Sequence, residues 1–156
     1  MAANEELWKS AIKITCDIVE EELLSNIASK TKRRKKRSVW VREWIARREL
    51  SGFSSNFLAE TRNEDPATYK NFIRMDPAKF DELLKLVEPT ITKTNTSFRD
   101  AIPAKIMLEV VLAYLATGSS FGTLEACFRV PKSTISRFLV TVLQDISYSL
   151  QEYMEV

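Results

Sequence analysis

Two groups of residues in this chain are equipped to meet a polyanion. Lys132, Ser133, Thr134, Ser136 and Arg137, with Arg129 just upstream, crowd cations and hydroxyls together. Lysines and hydroxyls donate to phosphate oxygens and so position a protein on DNA. An arginine paired with a guanine edge contributes about 1–3 kcal/mol of discrimination. The second group is KTKRRKKR, in which Lys30, Lys32, Arg33, Arg34, Lys35, Lys36 and Arg37 are seven basic residues in eight positions. Such a block repels itself and resists burial, so it is expected to be solvated and mobile. It reads as a nuclear import signal or a phosphate-binding arm, two uses that do not exclude each other, or as a plain solvated charge run. Engagement of the whole run with B-DNA phosphates implies a log–log salt slope of about −6. A membrane-surface role is also open to a polybasic stretch, but no lipid-modification signal adjoins it.

Other chemistries find little support. The sequence has no His, and its two cysteines, Cys16 and Cys127, are far apart in apolar settings. That argues against a zinc site and for buried free thiols. There is no glycine-rich phosphate loop, and no Ser-His or Cys-His pair can form. Glu64, Asp81, Glu82 and Glu88 read as solvated helix faces, because nothing at compatible spacing completes a metal or acid/base site. Ser133 and Ser136 beside Lys132 are better explained as phosphate or base-edge donors than as a Ser/Lys nucleophile. The chain is therefore expected not to be an enzyme and to need no cofactor of its own.

The elements that must position these residues are helices. Residues 119–146 read as a helix-turn-helix. Leu124, Cys127 and Phe128 give its first helix one apolar edge. Pro131 pushes Val130 out of the α region, and a second helix starts at Lys132. Ile135, Phe138, Leu139, Val142, Leu143 and Ile146 recur at a 3.6-residue period. That pattern leaves Lys132, Ser133, Thr134, Ser136, Arg137 and Thr141 away from the core, as a groove-reading helix requires.

Earlier in the chain, residues 5–28 read as an amphipathic helix, either docked on the rest or offering a surface to another protein. Residues 39–50 form a second helix with Trp40, Trp44 and Ile45 inward, ended by Gly52 in a left-handed cap. Ser55 can cap a short helix carrying Phe57 and Leu58. Asp65-Pro66 and Asp76-Pro77 each place an N-cap before a proline at the first helical position. The second of these helices is expected to stop at Pro89. Residues 90–101 read as an exposed loop. Pro103 opens a helix over 104–117 that is apolar nearly all round and belongs in the middle of the bundle, with Gly118 as its cap. The last helix is expected to run to about Met154.

Four stretches also resemble a known family. They are Met75-Asp76-Pro77-Ala78-Lys79-Phe80-Asp81-Glu82-Leu83-Leu84, Phe98-Arg99-Asp100-Ala101-Ile102, Leu115-Ala116-Thr117-Gly118 and Phe128-Arg129-Val130-Pro131-Lys132-Ser133-Thr134-Ile135-Ser136. In this order they look like the N-terminal region of Harbinger (PIF) superfamily transposase-derived nucleases, over about Trp40 to Ile146. The resemblance implies a helical, helix-turn-helix domain preceding a metal-dependent nuclease domain with three catalytic carboxylates. It also implies a nuclear setting and, for some members, a Myb-like DNA-binding partner. No catalytic residue of that nuclease carries over to this chain, so a divalent metal is expected only for the absent domain. On this resemblance the chain is expected to be either a fragment of a longer protein or a truncated, domesticated copy.

Charge is segregated. Residues 1–29 hold two basic and six acidic groups, a balance of −4, whereas residues 30–50 hold ten basic and two acidic, a balance of +8. No apolar run approaches the ~20 residues that span a bilayer, so no membrane partner is expected. The expected architecture is an all-α multi-helix bundle containing a helix-turn-helix. Residues 1–29 make an N-terminal amphipathic helix, 30–38 a basic arm, and 39–156 the helical domain. The expected function is a nuclear DNA-binding module. Its competitors are a protein-interaction module, docking a Myb-like partner or another copy as a homo-oligomer, and the N-terminal part of a metal-dependent nuclease.

Overall fold

A computed structural model describes residues 13–15, 17–22, 41–96 and 100–154. The expectations for Cys16, Trp40, Phe98, Arg99, the end of the N-terminal helix and the whole basic run from Lys30 to Arg37 lie outside the described residues. The protein is an all-α multi-helix bundle, and no strand forms among the described residues. Residues 13–15 and 17–22 are helical (α1). Then follow α2 (Glu43–Ala46), α3 (Arg48–Ser51), α4 (Phe57–Glu64), α5 (Pro66–Ile73), α6 (Pro77–Ile91), α7 (Ala104–Thr117), α8 (Phe121–Phe128) and α9 (Lys132–Met154). Val39–Ser149 form one compact unit. Met1–Ser38 and Leu150–Val156 fall in a second.

The larger unit is organised around α7, which packs against α5, α6 and α8. Its residues Ile106, Met107, Leu108, Val110, Val111, Leu112 and Ala113 are all buried, as an all-round apolar helix demands. Each fully buried Val, Leu, Ile or Met side chain contributes about 1.5–3 kcal/mol relative to exposure. Gly118 ends α7 at φ 62°, in the left-handed region, and its N–H bonds the Tyr114 carbonyl at 2.8 Å.

One member of that core is not apolar. Glu109 is only 1 % exposed. Among the described residues neither carboxylate oxygen has a hydrogen-bond partner, and Lys105 Nζ is 3.8 Å away. Burial raises the Glu109 pKa, partly offset by the neighbouring Ser54 hydroxyl and the charges of Lys105 and Arg62. The Tyr69 hydroxyl, also buried and unpartnered, is pushed up to about 12, chiefly by burial and then by the Glu109 charge.

Several local expectations are corrected. The helix over 39–50 is broken at Arg47 (ψ 21°) into α2 and α3. Ile45 is buried, and Trp44 is half-buried. Gly52 is not a left-handed cap, because its φ is −80° and ψ 157°. Glycine is needed there for another reason: a Cβ would sit 2.3 Å from the Arg48 carbonyl oxygen. Ser55 does not cap α4. The N-cap residue is Asn56, and the Ser55 hydroxyl donates to the carbonyls of Arg48 and Gly52. Asp65 caps α5 as expected, accepting from the Thr68 N–H at 3.1 Å; the Thr68 hydroxyl first, and that N–H second, lower its pKa. Asp76 makes no such cap bond and pairs instead with Lys70 at 3.1 Å. Pro89 does not stop α6, which continues to Ile91. Two further residues of helix bring Ile91 to 2 % exposure, and Thr92 Oγ1 donates to the Glu88 carbonyl at 2.6 Å. Among the carboxylates, Asp81 pairs with Arg62 and Glu82 with Lys79 on helix surfaces.

Candidate nucleic-acid interface

The turn between α8 and α9 is held by backbone chemistry on both sides. Ser120 caps α8, accepting from the Thr123 N–H at 3.2 Å. At the other end Arg129 takes the left-handed conformation, φ 53°, which reverses the chain without a glycine. A non-glycine residue in this region costs on the order of 1–2 kcal/mol. Two tertiary bonds offset that cost. The Arg129 Nη1 donates to the Trp44 carbonyl at 2.8 Å, and the Phe53 N–H donates to the Cys127 carbonyl at 3.0 Å. The Phe53 ring adds to the anchor, lying 4.7 Å from Phe57, 5.4 Å from Phe72 and 5.4 Å from Phe128. Val130 is fully buried, and the Pro131 carbonyl accepts the N–H groups of Thr134 and Ile135 to start α9.

One face of α9 is sealed. Ile135, Phe138, Leu139, Val142 and Leu143 are each at most 4 % exposed. The opposite face carries Lys132, Ser133, Arg137, Thr141, Gln144 and Tyr148, all exposed. The Arg137 Nε donates to the Ser133 carbonyl at 3.0 Å. That bond folds the side chain back along the first turn and leaves its remaining N–H donors for other partners.

The six candidate residues divide under this geometry. Lys132, Ser133 and Arg137 share the exposed first turns of α9. Arg129 is half-buried and its guanidinium is engaged by α2, so it secures the turn. Ser136 was expected away from the core, but it is 8 % exposed and its hydroxyl donates to the Ser133 carbonyl at 3.4 Å. The Thr134 hydroxyl is buried without a hydrogen-bond partner. A helix turns 100° per residue, so Thr134 and Ser136 lie on the flanks of Ile135 and are drawn in with it. The sequence reading missed Gln144 and Tyr148, which prolong the polar stripe one and two turns beyond Thr141. Their spacing, three and seven residues from Thr141, was the available signal.

Among the described residues no group of three or more His, Cys, Asp or Glu side chains is placed to hold a metal ion. No described helix is long and apolar enough to cross a membrane. Comparison with protein-family models, with curated proteins and with solved structures finds no match for this chain.

Proposed function

We propose that this chain is a nuclear DNA-binding module of Harbinger-type ancestry that itself carries no nuclease site. The observation that supports this most is the exposed, cationic first turns of α9, with Lys132, Ser133 and Arg137 together on a helix whose other face is anchored in the bundle. The first N–H groups of a helix point out of its N-terminal end and favour anions there, which adds to the two side-chain charges. Arg137 would read a base edge or a phosphate, while Lys132 and Ser133 bond phosphate oxygens. Two cations are few for tight binding, so the basic run from Lys30 to Arg37 or a second half-site would supply the rest.

The test is a binding titration with specific and random duplexes over a salt series. Arg137→Ala is expected to relax sequence preference. Lys132→Ala is expected to weaken all duplexes about eightfold at ~0.1 M salt, the factor that a slope of 0.9 per phosphate implies. Unchanged affinity in both variants would overturn the assignment.

A second reading, a protein-docking module, is favoured by α1. Ile14 and Ile18, one turn apart on that helix, are 58 % and 53 % exposed. Their partner would be a Myb-like protein or another copy of this chain. In that case association with the partner survives nuclease treatment and is lost on removing residues 1–29. Association that disappears with the DNA would count against it.

A further inference from the structure

Beside the first turns of α9 lies a groove of about 360 Å³, bounded by the segment that joins α6 to α7. Lys93 on that segment and Arg137 on α9 both line it. So do the exposed Thr94 and Thr96. Ile102 and Phe138, both buried, give it an apolar floor. The joining segment is pinned across its base, where the Ala101 N–H donates to Asn95 Oδ1 at 2.8 Å.

We propose that this groove seats one sugar–phosphate unit of a duplex backbone, flanking the bases that α9 meets. The proposal rests on the DNA-binding reading and extends it to a second element. A phosphodiester between Lys93 and Arg137 is neutralised from both, and the Thr94 hydroxyl is a donor for its oxygens. Among the described residues the charged groups that line the groove are Lys93, Arg137 and Asp100. Because Arg137 belongs both to the groove and to the exposed face of α9, a backbone seated here runs directly into the proposed interface.

The experiment uses the full chain and a labelled duplex that it binds. Lys93→Ala is expected to weaken binding about eightfold at ~0.1 M salt and to reduce the salt slope by about 0.9, with sequence preference unchanged. A scan of neutral methylphosphonate substitutions along the duplex should then find one position that costs the parent protein the same factor and costs Lys93→Ala nothing further. A solvent-exposed lysine that acted only through local structure would show no such position. If Lys93→Ala binds as the parent does while Lys132→Ala is weakened, the groove assignment falls and the DNA-binding reading stands. If the parent binds no duplex, both fall. If a deoxynucleoside monophosphate displaces the duplex through a Lys93-dependent site, the groove is a free-phosphate site and the backbone assignment is overturned.

Discussion

Deletion of residues 30–37 is expected to lower the salt slope of duplex binding by up to about 6 log–log units while leaving the order of preference among duplexes intact. The deleted stretch carries seven of the 23 basic residues, and the segment of which it is part holds the chain's only large positive balance. Charges of that kind release counterions from any duplex, so they contribute affinity without selectivity. Selectivity would reside in the first turns of α9, where Arg137 is exposed and oriented by its own bond to the Ser133 carbonyl. The two contributions are separable. The deletion should move specific and random duplexes together, whereas Arg137→Ala should move them unequally. A deletion variant with the parent's slope would show that the basic run does not touch DNA and would leave nuclear import or a plain solvated charge run as its remaining readings. Measurement between ~50 and 200 mM salt covers the range in which the difference is largest.

Replacing Glu109 by Met is expected to stabilise the protein at neutral pH, by about 1–4 kcal/mol. Glu109 is buried on the central helix with no hydrogen-bond partner for either oxygen among the described residues, and Lys105 Nζ, at 3.8 Å, is too distant to satisfy them. An apolar side chain of similar volume removes the desolvation cost and keeps the packing. The sign of the pH dependence follows from the same geometry. Burial holds the folded-state pKa of Glu109 above its unfolded value. The folded protein therefore binds more protons than the unfolded chain between those two values, and stability falls as pH rises through that window. At lower pH the carboxyl is neutral in both states, and this penalty disappears. The facing groups are Ser54, Lys105, Arg62 and Tyr69. Urea unfolding of the parent and Glu109→Met at a series of pH values from about 4 to 8 reads the effect. The variant's advantage should grow with pH. A constant or shrinking advantage would mean that the carboxylate finds partners in solution that the folded geometry does not provide.

Glu109 also marks the limit of what hydrophobic periodicity encodes. Residues 104–117 were legible as the central helix because their apolar residues cover every side. That same density hid the one carboxylate among them, since an average over a window does not say which residue faces the least water. Pro89 was a comparable case. A proline removes one helix hydrogen bond, a local cost, and that cost is outweighed when the next turn can bury Ile91. Gly52 reads as a left-handed cap, but glycine is required there for another reason. The requirement is close approach to the Arg48 carbonyl oxygen, not a positive φ.

The amino-acid order by itself determined that the chain is helical and where its principal punctuation lies. It marked Asp65-Pro66, Pro103, Gly118 and Pro131 as boundaries, and it set the period that buries Ile135, Phe138, Leu139, Val142 and Leu143. These are interactions between near neighbours, and periodicity and capping encode them directly. Only the tertiary structure decided which of the six hydrogen-bonding residues around α9 face solvent. Arg129 is held by a carbonyl 85 residues away, Ser136 and Thr134 turn inward, and Lys93 is brought to the side of Arg137 from a different segment. Those outcomes depend on which helix lies against which, and contacts between distant segments leave no period in a single sequence.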